Sequence, residues 1–392
     1  MKVLFISHSS VVDVYQDKLR HLGRRDDCDL HLLIPRRYLE GSRVVEGFGG
    51  TGEYTVHRLD TWFGEQGRQN LHIYRGVKQL IRRIEPDIIH LEEEPESLVS
   101  WQVLRAAAAL NKQPKIVLFT WRNMDRRQDF FTPGEAAGYI QPRVENYVNR
   151  RIDALISGTD EGIHIFRDLG LNFPIYHIPQ YGVNPDVYKA LDVDAATRDR
   201  VVRGDGVVVG FVGRLMQMKG IATLLEAFKR SRRIHSDGSI RDSLLLLGSG
   251  PDKESFAALA AELGIAEAVN IVESVPAVEV PTYLNLMDIM VLPSLTTPKW
   301  KEQFGRVLIE GMACGAAIIG SSSGEIPHVI GDAGRVFKEG DADDLSGHLK
   351  ELIENDVLRS ELQEAGKRRV AQHYTNERIA AKIYDVYRDV LG

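Results

Sequence analysis

Short apolar runs alternate with longer amphipathic segments along nearly the whole chain, and this alternation limits the fold more than any other feature. Repeated strand-then-helix units are the pattern of parallel sheets with covering helices. The first series comprises KVLFIS (2–7), LHLLIP (30–35), YTVHRL (54–59), DIIHLE (87–92), KIVLFT (115–120), DALIS (153–157) and PIYHIP (174–179). The second comprises VVVGFVGR (207–214), SLLLLGSG (243–250), NIVESV (270–275), DIMVLPS (288–294), AAIIGSS (316–322) and GRVFKEG (334–340). Between them, IPQYGVNPDVYKALDVD (178–194) carries two prolines and polar residues around a glycine and reads as a linker. A chain of 392 residues exceeds the usual limit for one core. The expected fold class is therefore α/β, with two doubly wound parallel sheets over residues 1–183 and 184–375. Strand C-termini of two such sheets, facing a shared cleft, are where ligands bind. Among the helices, HIYRGVKQLIRRIE predicts one over 72–85, with Ile73, Val77, Leu80, Ile81 and Ile84 as its apolar stripe.

Composition excludes several classes. Net charge is −6, which gives a nucleic-acid partner no electrostatic support. No stretch approaches the run of about 18 apolar residues that a membrane span needs. The opening MKVLFISHSS reads better as a first strand than as a signal peptide. Cys28 and Cys314 stand alone, outside any CxxC pair, so a reducing cytoplasm is the expected compartment.

Chemistry concentrates in EQFGRVLIE (302–310), two glutamates flanking what reads as a helix start. The strand DIMVLPS precedes it, and VLIEGMACG (307–315) closes on a glycine suited to a helix end. Strand, loop, helix start is where α/β proteins bind anions, because the first N–H groups and the helix dipole face the ligand. Eight helical residues span at most about 12 Å. Carboxylates at each end of an anion site suit a ligand with hydroxyls on both sides of a phosphate, as in a nucleotide-sugar. On spacing alone, two solvated helix acids explain the motif equally well.

The strand FVGRLMQMKG (211–220) ends in a loop where Gly213 permits a turn and Arg214 and Lys219 bracket the next helix. Two cations there suit a pyrophosphate. GSGPDKE (248–254) begins with Gly248 and is a fragment of a dinucleotide fingerprint, with Lys253 where the third glycine belongs. The first loop, SHSSVVDVY (7–15), lacks that fingerprint too, which argues against a nicotinamide enzyme.

In order, GRLMQMKG, LLLLGSGP, DIMVLPS, EQFGRVLIEGMACG and SSSGEIPHVIGDAG closely resemble the donor-binding domain of family 4 glycosyltransferases, which have the GT-B fold of two Rossmann-like domains. The resemblance is strong over residues 205–340 and weaker elsewhere, through IIHLEEEPESL (88–98) and IPQYGVNPDVY (178–188). It implies a retaining transferase that needs neither cofactor nor metal. Glu302 is then expected to reach hydroxyls of the transferred sugar and Glu310 the ribose, with Arg214 and Lys219 on the diphosphate. Backbone N–H groups near Phe304 and Gly305 would contact phosphates or sugar, and Gln303, Gly213, Gly248 and Val275 complete the donor-binding set. The resemblance also implies that the final helix, NERIAAKIYDVYRDVL (376–391), crosses back to complete the first, acceptor-binding domain.

Departures from the family lie in the first half. Where relatives carry a glycine pair after the first strand, this chain has Ser9 and Ser10; where they place a histidine after the fifth strand, it has Trp121, Arg122 and Asn123. His8 and His90 sit at or near strand ends and read as structural, though His8 remains an acceptor-side candidate. The run Glu92–Glu93–Glu94 ends the fourth strand, and Glu94 is a candidate for acceptor hydroxyls or part of a plain charged loop. Acceptor contacts are also expected in 41–54 and 122–139. In the latter, Arg126, Arg127, Phe130 and Phe131 suit either docking at the inner membrane face or a mobile lid. Three DxD strings (27–29, 192–194, 341–343) read as solvated acids rather than metal ligands. Gly311 replaces the family's usual alanine.

The expected function is transfer of a sugar from a UDP- or GDP-sugar to an acceptor hydroxyl of a glycan, lipid or small molecule. A nucleotide-sugar epimerase, a glycan phosphorylase and a sugar-phosphate synthase are the alternatives of the same architecture. Donor base, acceptor and oligomeric state stay open.

Overall fold

In a computed structural model, described here for all residues except 41–42, 69 and 126–136 and the side chains of 137–139, the chain divides into two units. The first comprises Met1–Tyr181 with Asn376–Gly392, and the second Gly182–Thr375.

The first unit is built on seven parallel strands: β1 (Lys2–Ser7), β2 (Asp29–Pro35), β3 (Thr55–Leu59), β4 (Ile88–Glu92), β5 (Lys115–Thr120), β6 (Ala154–Ser157) and β7 (Ile175–His177). Their order across the sheet is β7-β6-β5-β4-β1-β2-β3. The strands are apolar on both faces because helices cover both. Val3, Phe5, Leu30, Leu32, Val117 and Ile156 point to one face, where Ile379, Ile383 and Tyr387 of the final helix Asn376–Leu391 pack. Leu4, Ile6, Leu33, Ile89, Leu91 and Leu118 point to the other, against Leu80, Ile81, Val99 and Val103. The period-two alternation along β1 thus assigns successive residues to opposite cores.

One expected helix is shorter than its periodicity predicts. Ile73–Tyr74 form a two-residue strand against Thr61–Trp62, and the helix runs only from Val77 to Ile84. Tyr74 is buried in that ribbon, and Gly76 adopts a left-handed conformation that starts the helix afresh. Ile73 matched the helical stripe by coincidence of spacing.

The second unit has six parallel strands: β8 (Val208–Val212), β9 (Ser243–Leu247), β10 (Val269–Val272), β11 (Ile289–Leu292), β12 (Ala317–Ser321) and β13 (Gly334–Phe337), in the order β10-β9-β8-β11-β12-β13. The helix Arg306–Cys314 follows β11 and ends at Gly315. Gly311 on this helix faces the sheet: a Cβ there would stand 2.8 Å from Met290 Sδ and 3.2 Å from Ile318 Cδ1. The glycine lets the helix lie close against β11 and β12, which accounts for the departure from alanine at this position.

Both cysteines are buried free thiols, Cys314 as a small core residue. Two of the DxD strings cap helices: Asp194 accepts the Thr197 N–H, and Asp341 accepts the N–H groups of Asp343 and Asp344.

Candidate active site

In each sheet the strand order reverses once, and that crevice at the carboxyl ends of the strands is where doubly wound folds hold ligands. In the second unit the reversal falls between β8 and β11. The loop after β8 carries Gly213, Arg214 and, at the end of a 3₁₀ turn, Lys219. The loop after β11 carries Ser294, Trp300 and Glu302. The two are stitched together by Leu295 N–H donating to the Met218 carbonyl at 2.8 Å.

Residues 83 positions apart therefore meet. Lys219 Nζ lies 2.7 Å from Glu302 Oε2, and the Ser294 hydroxyl donates to the same oxygen at 2.8 Å. The ammonium also stands 4.7 Å from the Trp300 ring centroid. Glu302 is buried, and its backbone is held by the Glu325 N–H, which donates to its carbonyl at 3.3 Å. Arg214 is exposed on the neighbouring loop.

The helix Arg306–Cys314 begins at Gly305, whose φ of 74° is left-handed and which has no side chain of its own to cap the first turn. That leaves a helix start of the kind that draws anions. Phe304 is buried and packs edge-on against Tyr374 at 5.9 Å, while Gln303 is exposed beside it. One turn into the helix, Glu310 is buried and accepts from Arg306 Nε at 2.8 Å. It also meets the Tyr188 hydroxyl, whose pKa burial raises first and Glu310 raises further. The carboxylates thus bracket the helix start, Glu302 before it and Glu310 within it. Gly248 follows β9 and presses on the β8 loop, since a Cβ there would lie 1.8 Å from the Gly213 carbonyl oxygen. Val275 is half-buried on the loop after β10, two strands from the reversal.

In the first unit the reversal falls between β1 and β4 and opens a cavity of about 300 Å³. His8 and Ser9 after β1, Glu92, Glu93 and Glu94 at the end of β4, and Trp121 after β5 line it. Tyr15, Glu40, Phe119, Gln180 and Tyr181, none of them a site candidate from the sequence, complete the lining. His8 Nδ1 lies 2.9 Å from Glu93 Oε1. Burial works to lower the His8 pKa, but the Glu93 carboxylate and its hydrogen bond outweigh it and raise the value. Lys18, fully buried beneath the cavity, is bound to Glu92 and donates to the Gln180 carbonyl at 2.7 Å. Burial lowers its pKa against the pull of Glu92. Glu94 accepts the Thr120 hydroxyl at 2.6 Å and the Trp121 N–H at 2.9 Å. Burial, reinforced by Glu96, still pushes its pKa up to about 7.

Three acceptor-side expectations do not reach this cavity. Arg122 is buried between Glu96 (2.6 Å) and Glu145 (2.5 Å), a structural double ion pair. Ser10 is buried with its hydroxyl on Ser7 Oγ at 3.1 Å. Asn123 is buried outside the lining. His90 is structural, as its position suggested, with Nδ1 2.8 Å from the Tyr387 hydroxyl. Arg126, Arg127, Phe130 and Phe131 lie outside the described residues. As for metals, His8, His72 and Glu93 each bring one ligand atom within 4.8 Å of the others.

Comparison with known proteins agrees with this layout. Residues 193–369 match the model for group 1 glycosyl transferases, and residues 12–177 the model for a glycosyl transferase 4-like domain. A D-inositol 3-phosphate glycosyltransferase of Stackebrandtia nassauensis is 28% identical over 255 residues, 63% of this chain and 56% of that protein. A GDP-mannose-dependent alpha-(1-6)-phosphatidylinositol monomannoside mannosyltransferase of Mycolicibacterium smegmatis is 30% identical over 204 residues, 50% of this chain and 52% of that protein. The chain thus spans about half the length of these curated relatives. Among solved structures, a sucrose-phosphate synthase from Thermosynechococcus elongatus superposes with a TM-score of 0.72 at 18% identity, over 100% of this chain and 99% of that one. HepE of Anabaena, solved with UDP and glucose, gives 0.70 at 17% identity, over 99% and 100%. These structures share the GT-B fold class with the present chain, two Rossmann-like units. One glycosyltransferase model lies on each unit, and the chain belongs to the family 4 glycosyltransferases.

Proposed function

We propose that this protein transfers a sugar from a nucleoside diphosphate sugar, UDP- or GDP-linked, to an acceptor hydroxyl, with retention of anomeric configuration and without a metal ion. The observation that carries the reading is the Lys219–Glu302 contact beside a helix that starts at a glycine, at the strand-order reversal of the second unit. An ammonium and helix N–H groups are what a diphosphate requires, and a carboxylate bound to that ammonium is what a sugar hydroxyl requires. In this reading Lys219, Arg214 and the N–H groups near Phe304 and Gly305 hold the diphosphate. Glu302 takes hydroxyls of the transferred sugar, and Glu310 takes those of the ribose. The C1–O bond to phosphate breaks as a C1–O bond to the acceptor forms on the same face. The acceptor proton passes to the departing phosphate oxygen, so no protein base is needed. Lys219 and the helix dipole stabilise the charge that grows on that phosphate. The acceptor occupies the cavity of the first unit.

A solved relative in fold, HepE, was crystallised with UDP and glucose, which supports the donor class. Two free thiols suit the cytoplasmic setting that belongs to this proposal. Among the described residues no helix is long and apolar enough to cross a membrane. Contact with the membrane face through 122–139 is part of the proposal as well.

The test is donor hydrolysis across UDP-, GDP-, ADP- and TDP-sugars, with and without EDTA, reading the product anomer by NMR. One donor is expected to give saturable, chelator-insensitive release of nucleoside diphosphate and an anomer of unchanged configuration. Release that stops with EDTA overturns the metal-free part. An epimerised donor in the absence of acceptor would indicate an isomerase.

A further inference from the structure

Three side chains from separate segments of the first unit converge beside its cavity: His8 after β1, His72 just ahead of the Ile73–Tyr74 ribbon, and Glu93 after β4. His8 and Glu93 line the cavity. His72 is fully buried next to them, its ring edge-on to His8 at 5.5 Å. Neither His72 nor Glu93 has a task in the transfer chemistry.

One carboxylate oxygen faces both imidazoles. Glu93 Oε1 lies 2.9 Å from His8 Nδ1 and 3.7 Å from His72 Nε2. Nitrogen and oxygen ligands held about 2.0–2.2 Å from one tetrahedral ion stand about 3.4 Å apart, so these two spacings fall on either side of what an ion requires. All three groups bring a ligand atom within 4.8 Å of the others, which an inward shift of about an ångström closes. A hydrogen-bonded trio is the plainer use of such groups, and it accounts for His8 with Glu93. At 3.7 Å the contact between His72 and Glu93 is too long for a hydrogen bond, so that pair needs another reason to meet.

Tyr74 adds an independent observation. Its ring stands 5.8 Å edge-on from His72, and its hydroxyl is buried with no hydrogen-bond partner among the described residues. Burial first, and then the Glu93 carboxylate, hold that hydroxyl well above its ordinary pKa, so it lies within electrostatic reach of the trio. A buried hydroxyl without a partner is costly. A water held on an ion beside it would supply one.

We propose that His8, His72 and Glu93 form a site for one divalent transition-metal ion, zinc first among them, at the wall of the first-unit cavity. Two imidazoles and a carboxylate suit zinc, cobalt or nickel better than magnesium or calcium, which take oxygen ligands. Binding replaces the hydrogen bond between His8 and Glu93 and releases its proton to solvent. Three protein ligands leave a fourth position for water or for a hydroxyl of a molecule in the cavity. The site needs no donor sugar and stands apart from the transferase reading, which rests on the second unit.

The full chain, stripped with EDTA and dialysed, is titrated with ZnCl2 and CoCl2 by calorimetry. One ion per chain is expected, with a Kd of about 10 µM or tighter. His72→Gln and Glu93→Gln should each weaken binding by about tenfold or more. His57→Gln, in the separate His31–His57 pair, should leave it unchanged. Thermal denaturation without metal shows which variants fold. A crystal of the wild-type chain soaked in ZnCl2 needs no variant: an anomalous-scattering peak should lie about 2.0–2.2 Å from one atom of each of the three side chains. Wild-type binding weaker than about 100 µM, no such peak at saturating zinc, or unchanged affinity in folded His72→Gln or Glu93→Gln overturns the proposal. Donor hydrolysis is read separately, so failure here leaves the transferase reading standing.

Discussion

Lys219→Ala is the substitution whose outcome the geometry fixes most narrowly. The ammonium sits 2.7 Å from Glu302, with side chains only 20% and 11% exposed. At an effective dielectric constant of about 20, the gross attraction at that distance is roughly 6 kcal/mol. Removing water from both partners offsets most of it, and Glu302 keeps the Ser294 hydroxyl at 2.8 Å. The net loss of stability should therefore be about 1–2 kcal/mol, which leaves the variant folded. Turnover should suffer more. A cation aimed at the charge growing on the departing phosphate is worth about 3–4 kcal/mol, or a loss of roughly 10²–10³ in kcat/KM. Nucleoside diphosphate release gives the rate, and thermal denaturation gives the stability. Lys219→Arg should recover part of the activity, since the charge returns in a different shape. A folded Lys219→Ala enzyme within about threefold of wild type in kcat/KM would refute the assignment of Lys219 to the diphosphate.

Three further outcomes follow from other parts of the chain. Gly248→Ala places a Cβ 1.8 Å from the Gly213 carbonyl oxygen; it should cost about 2 kcal/mol or more and weaken donor binding, read by denaturation and nucleotide titration. Arg122→Met leaves the buried carboxylates of Glu96 and Glu145 without their shared cation; a loss of about 3–5 kcal/mol in denaturant unfolding is expected, and an unchanged midpoint would return Arg122 to the acceptor site. Glu94 has a folded pKa of about 7 against an ordinary 4.5, so the folded state holds this proton more tightly than the unfolded state. Its stabilising contribution is complete below pH 4.5 and is lost as pH rises through 7, on the order of 3 kcal/mol across that window. Glu94→Gln should flatten this fall in Tm, and an unchanged pH profile would show that Glu94 titrates normally.

Every strand of both sheets stood in the sequence as a short apolar run, and so did the helix that starts after Gly305 and stops at Gly315. These are local matters, decided by periodicity and by glycines at element ends. The motif glutamates and the Arg214–Lys219 pair were legible through their order between strands, because strand C-termini are where such chemistry collects. What sequence could not decide is which loops become neighbours. The order of strands across each sheet put Lys219 on Glu302 and brought Ser294 and Trp300 beside them. The same packing buried Arg122 between two carboxylates, although its position in the chain suggested an acceptor residue. It also assembled Tyr15, Glu40 and the adjacent pair Gln180 and Tyr181 from three separate segments into one cavity wall. Strand propensity is written in nearest neighbours along the chain, whereas a side chain's partner and charge environment depend on burial against residues far away in sequence, and that only folding specifies.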